Sequence, residues 1–139
     1  MNHFLVDTDI FALFLQNDPT VVAHVAAHTF DLLSISVITV QEVWNGWNAA
    51  LARAKTTAVL AATYTRLADT LNQLRYWSVA TLSIGAIVRY EALLRQKLNV
   101  GGNDLRIAAI ALETGATVVT RNRRDFSRVP GLMIEDWSN

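Results

Sequence analysis

The chain has 139 residues, 52% hydrophobic and 17% charged, with a formal net charge of zero and no cysteine. That length fits one domain with a sizeable core, and it excludes disorder, which needs low hydrophobicity and high net charge. No run approaches the roughly 18–20 apolar residues of a membrane span, and MNHFLVDTDIF lacks the basic start of a secretory leader. Without cysteine there are no disulfides, thiolate zinc sites or thiol nucleophiles, so a cytoplasmic protein off the membrane is expected.

Charge is unevenly spread along the chain. Residues 1–52 hold five acids (Asp7, Asp9, Asp18, Asp31 and Glu42) and no Lys or Arg. All twelve basic residues, ten of them Arg, fall in 53–139 against seven acids. Folding the first part onto the second could hold a cation and a polyanion side by side; chance scatter is the plainer reading of the same numbers.

The elements alternate. His3–Val6 is a strand that ends at Asp7, and a helix follows through Phe11, Phe14 and Leu15. Asp18-Pro19 opens a second helix, with the acid as N-cap and proline in the first turn. Leu32–Val37 is a second strand, after which Thr39 caps a helix running through Glu42, Trp44 and Trp47 to about Ala54. From Thr56 to Gln73 the positions Leu60, Tyr64, Leu67, Leu71 and Leu74 form a helical apolar stripe. Arg75–Thr81 is a third strand, and Ser83 begins a helix ending near Leu98. Asn103 caps a helix over Asp104–Thr114 that Gly115 terminates. Ala116–Thr120 and Leu132–Ile134 complete the strands. This order predicts a single-domain α/β fold of three layers, α/β/α, with a parallel sheet of four to five strands.

In such a sheet, ligands bind beyond the carboxyl ends of the strands where strand order reverses. Asp7 and Asn122 follow strands; Glu42 and Asp104 fall in the first turns of helices at the same edge. A first-turn acid has an ordinary explanation in the helix dipole. Gathering several does not: two carboxylates about 4 Å apart repel by roughly 4 kcal/mol at an effective dielectric near 20. Asp7, Glu42 and Asp104, with Asp125 nearby, therefore call for a cation. Oxygen ligands without His or Cys suit Mg²⁺ or Mn²⁺ rather than zinc. Such an ion can acidify a water and neutralise a scissile phosphate, the chemistry of phosphodiester hydrolysis.

The segments LVDTDIF, SVITVQEVWNG, GGNDLRIAAIALETGATVVTRNRRDFSRVPGL and IEDW resemble the PIN-domain family, and more narrowly the VapC-type toxins of toxin–antitoxin pairs. The resemblance spans nearly the whole chain in order and spacing. It implies a Mg²⁺- or Mn²⁺-dependent endoribonuclease acting on RNA, dimeric, and silenced by a cognate antitoxin. By position, Asp7, Glu42 and Asp104 match the family's first three acids and would hold the metal. Asn122 and Asp125 share the fourth position, Asp125 being the candidate acid and Asn122 a supporting amide. Asp9 stands where the family usually has Asn. Thr8 and Thr120, beside the acids, could hydrogen-bond a carboxylate, though Thr8 could equally cap the first helix.

Arg121, Arg123, Arg124 and Arg128 are the densest basic cluster and fit an RNA backbone or an acidic protein segment. His24 and His28 have chelating spacing but no acidic or cysteine partner, which makes a surface or half-buried pair the better reading. Trp44 and Trp47 are expected in the core or against a partner, and the helices at 39–73 offer a groove for a partner helix or a second copy. Two rival functions stand beside the nuclease. A catalytically silent PIN-fold binding module would lack metal binding. A phosphatase using Asp7 and Asp9 would need a Lys after a strand end, and neither Lys55 nor Lys97 occupies one.

Overall fold

In the computed structural model, which describes residues 1–139, five strands alternate with seven helices. Strand β1 (His3–Val6) leads to α1 (Thr8–Leu15) and α2 (Pro19–Ala27). Strand β2 (Leu32–Ser36) leads to α3 (Val37–Arg53) and α4 (Thr57–Leu74). Strand β3 (Ser78–Ala80) precedes α5 (Ile84–Arg95) and α6 (Gly102–Thr114). Strand β4 (Thr117–Val119), the short α7 (Arg123–Phe126) and β5 (Ile134–Glu135) close the chain. Every strand pair is parallel and the order is β3-β2-β1-β4-β5. The order reverses between β1 and β4, which opens the crevice where α/β sheets bind ligands.

Side chains alternate across the sheet with period two, and both faces are buried. Leu5 and Val118 point to one core with Ile107, Ala108 and Ala111 of α6 and Leu93 of α5. Phe4, Val6, Ile35 and Val119 point to the other, with Ile10, Phe11, Val21, Trp77 and Trp137. These two cores are the three-layer α/β/α arrangement expected from the alternation of elements. Small residues let α6 lie close to the sheet, and Gly115 ends it in the left-handed conformation at φ 73°. No helix is long and apolar enough to cross a membrane.

Several boundaries differ from the sequence expectation, each for a local reason. Val37 is helical, because Ser36 and not Thr39 caps α3: the Ser36 hydroxyl accepts from the Thr39 N–H at 3.0 Å. Asn103 does not cap α6; Gly101 holds that position, and the Asn103 side chain accepts instead from Arg106 at 2.9 Å. The third strand shortens to Ser78–Ala80, since Tyr76 and Trp77 turn back to bond Gln73 and Leu74. The α4 stripe is only half buried: Leu60, Tyr64 and Leu71 face outward while Thr63 and Thr70 lie inside. Trp44 is 55% exposed, not core.

The Asp18 cap is as expected, one carboxylate oxygen accepting from the N–H groups of Thr20 and Val21, each at 3.1 Å. Asp18→Ala should lower stability by about 1 kcal/mol, and Asp18→Asn should recover most of it. Urea unfolding reads this as a shifted midpoint at unchanged slope.

Candidate active site

Asp7 ends β1 and begins α1. Its N–H still donates to the Val119 carbonyl at 2.8 Å, so sheet pairing fixes its backbone. The carboxylate is buried; one oxygen accepts from the Thr8 N–H at 2.8 Å and the other from the Thr120 hydroxyl at 2.8 Å. Thr120 in turn accepts from the Asn122 N–H at 2.9 Å. Burial first, then the charge of Asp9, pushes the Asp7 carboxyl up to about 7, with Asp104 adding and the two donors opposing.

Glu42 reaches the same edge from α3. Because the helix starts at Val37, Glu42 lies in its second turn, beyond the strong reach of the helix dipole, so the first-turn explanation does not apply. The Thr8 hydroxyl donates to Glu42 Oε1 at 2.9 Å. Asp104 does lie in the first turn of α6. Burial raises its carboxyl above the usual range, and Glu42, Asp125 and Asp9 add to the rise. The Asn122 amide spans Asp104 at 3.3 Å and Asp125 at 3.1 Å, donating to both. Asp9 is raised too, chiefly by burial, and accepts from the N–H groups of Ile10 at 2.7 Å and Arg121 at 3.2 Å. It thereby ties α1 to the end of β4.

The acids thus lie within electrostatic reach of one another, each restrained by a hydroxyl or amide donor. No three come close enough to share one ion directly. Mg²⁺ keeps several waters and takes one or two carboxylates, so a wide all-oxygen set suits it better than a closed cage. The three-acid ligand set expected from the sequence is therefore not assembled: one or two of Asp7, Glu42 and Asp104 could contact an ion directly and the rest only through its waters. Burial first, and neighbouring carboxylates second, keep the Asp7 and Asp104 carboxyls raised.

Around this edge Arg121, Arg123 and Arg124 are exposed and form no ion pair. Asp136 faces Arg121 and Arg123; slight burial works against its charge, but the Ser138 donors and these arginines hold it below the usual range. Arg128 differs from the others. It bonds the Asn99 carbonyl at 2.7 Å and pairs with Asp125 at 3.4 Å, which commits its guanidinium within the fold. His24 and His28 are no zinc pair: His24 Nε2 lies 3.0 Å from the Asn139 carbonyl, His28 Nδ1 2.6 Å from the His24 carbonyl, and both rings stack on Trp137. A search of the sequence for acids misses Ser36 and Thr39, which join the site through Thr8; their signal is the run Ser36, Thr39, Glu42, one helical turn per step.

The fold and this edge define a class: a single-domain parallel α/β protein with restrained acids at its strand-order reversal. The PIN domain matches residues 4–132. The tRNA(fMet)-specific endonuclease VapC of Salmonella typhimurium is 34% identical over 137 residues, 99% of each chain. Ribonuclease VapC1 of Haemophilus influenzae is 26% identical over 137 residues, covering 97% of this chain and 98% of its own. Among solved structures, DNA-bound VapBC from Salmonella typhimurium superposes with TM-score 0.79 at 29% identity over 99% of both chains. VapBC2 from Rickettsia felis, at 23% identity and TM-score 0.79 over 96% of this chain and 98% of that one, shares the fold. The chain belongs to the PIN-domain family, in its VapC branch.

Proposed function

We propose that this chain is a cytoplasmic, Mg²⁺- or Mn²⁺-dependent endoribonuclease, the toxin of a VapBC-type toxin–antitoxin pair. The observation that carries the reading is the meeting of Asp7, Glu42 and Asp104, from three distant segments, at one sheet edge where Asp104 feels both Glu42 and Asp7's neighbour Asp9. The likeness in sequence to a tRNA endonuclease over the full length supports it. When bound, the divalent ion would supply an acidified water and offset charge on the scissile phosphate.

The chain's own residues do the rest. With its carboxyl raised to about 7 by burial, Asp7 is partly protonated near neutral pH and would shed that proton to serve as an acceptor-only metal ligand. Thr120 and Thr8 keep the Asp7 and Glu42 oxygens aimed by donating to one oxygen of each. Asn122 donates to Asp104 and Asp125 together, which holds two like charges side by side. Asp125 serves as the fourth acid, with one oxygen turned toward Arg128. Arg121, Arg123 and Arg124 grip the RNA backbone, their forked donors matching phosphate oxygens.

Partners follow from the surface. A groove of about 700 Å³ opens between α1, α3 and α4, lined by Phe14, Val43, Trp47 and Arg66 among others, with Asp7, Glu42, Asp104 and Asp125 outside its lining. An antitoxin segment covering it, and reaching a Lys or Arg into the acids, would replace the metal's charge. The outward Ile84 and Val88 of α5 offer apolar surface to a second copy in a homodimer.

The test is cleavage of tRNA and other structured RNA by the purified chain with Mg²⁺, with Mn²⁺ and with EDTA. Divalent-dependent cuts are expected; RNA left intact with either ion, or cut equally well in EDTA, overturns the reading. Replacing Arg121, Arg123 and Arg124 by Gln should weaken RNA binding and lower its log–log salt slope by roughly 0.7 for each phosphate no longer neutralised. An unchanged slope would assign those arginines to a protein partner.

A further inference from the structure

Thr39 is fully buried, in the first turn of α3. Other helical threonines, Thr63, Thr65, Thr70 and Thr114, return their hydroxyl to the carbonyl four residues back. Thr39 sends its hydroxyl sideways to Thr8 of α1, at 3.0 Å. Ser36 approaches Thr39 from behind, hydroxyl to hydroxyl at 3.4 Å.

Counting hydrogens fixes the direction of this chain. A carboxylate only accepts, so the single Thr8 hydroxyl hydrogen goes to Glu42. Thr8 must then accept from Thr39, and Thr39, its hydrogen spent, must accept from Ser36. Ser36 also accepts the Thr39 N–H, which locks the hydroxyl pair against the backbone of the helix start. Each bond polarises the next, and the run ends on the one oxygen of Glu42 that it reaches.

We infer that Ser36 and Thr39 are positioning residues: a one-way hydroxyl relay, Ser36 to Thr39 to Thr8, holds the Glu42 carboxylate in a single orientation. Glu42 has three side-chain torsions and stands on a half-exposed helix face, so without the relay nothing bonds its carboxylate. The relay pins the α3 acid to α1, the helix that Asp7 caps, and so sets the spacing between acids from separate elements. This rests on the nuclease reading for its purpose, but not for its geometry.

Thr39→Val keeps shape and removes the hydroxyl; Thr39→Ser keeps the hydroxyl and removes a methyl. In the metal-free full chain, the Glu42 side-chain order parameter from carbon relaxation should fall in Thr39→Val and stay at the parent value in Thr39→Ser. Mn²⁺ affinity, read by electron paramagnetic resonance, should drop roughly 10–100-fold in Thr39→Val, as for residues that orient metal ligands, and recover in Thr39→Ser. Equal Glu42 order and equal Mn²⁺ affinity in Thr39→Val would overturn the relay, as would a Ser variant that falls as far as the Val one. Should Thr39→Val not fold, Thr39→Ala, which also lacks the hydroxyl, takes its place with the same two outcomes. A parent chain that orders Glu42 but cuts no RNA would sink the nuclease reading alone, since the order parameter is measured without substrate.

Discussion

Asp7→Asn should stabilise the metal-free protein at pH 8 while abolishing RNA cleavage. The Asp7 carboxyl titrates near 7 in the fold against an ordinary 3.8. Between those values the folded state holds a proton that the unfolded chain has already released. Its contribution to stability is complete below about pH 4 and is lost as pH rises through 7. At about 1.4 kcal/mol per pH unit the full loss is on the order of 4 kcal/mol, an upper bound where neighbouring acids titrate together. Thermal or urea unfolding in EDTA from pH 4 to pH 8 should show this decline in the parent and a much flatter line in Asp7→Asn. Saturating Mg²⁺ should flatten the parent as well, because a cation replaces the proton. A variant whose stability falls with pH as steeply as the parent's would remove Asp7 as the source of the slope.

Cleavage by Asp104→Asn should fall by orders of magnitude, with no loss of metal-free stability. Asp104 carries repulsion from Glu42, Asp125 and Asp9, and an amide relieves all three while remaining able to meet Asn122. Relief of one such close repulsion is worth about 1 kcal/mol or more. A purely helical role gives the opposite sign, since loss of a first-turn acid costs a few tenths to about 1 kcal/mol and leaves activity alone. Unfolding and cleavage measured on one preparation separate the two. A destabilised variant that still cuts RNA, with parental Mn²⁺ affinity, would overturn the assignment. The same pair of measurements on Asp125→Asn decides the fourth position: lost cleavage at retained stability admits Asp125, and retained cleavage leaves Asn122 as the group that matters there.

Much of this protein is legible without coordinates. Alternating apolar runs and helical stripes give the layered parallel sheet, because hydrophobic periodicity is local and strong. Asp7 at the end of β1, the Asp18 cap of α2 and the left-handed Gly115 are written in short stretches whose chemistry admits few alternatives. The acids stand out for the same reason, since like charges are rarely gathered without purpose.

Other features exist only once distant segments meet. Whether Ser36 or Thr39 caps α3 depends on where β2 stops pairing, and that moves Glu42 from the first turn to the second. The outward turn of Leu60, Tyr64 and Leu71 depends on which face of α4 meets α3, which a helical stripe alone does not say. Arg128 leaves the basic cluster because Asn99 and Asp125 happen to lie within its reach. Thr39 gains its place only when α1 and α3 bring Thr8 within 3.0 Å of it. Sequence determines what each short segment prefers and which residues can bear charge; packing decides which hydroxyl meets which carboxylate, because a hydrogen bond tolerates only a few tenths of an ångström and local pattern carries no such distance.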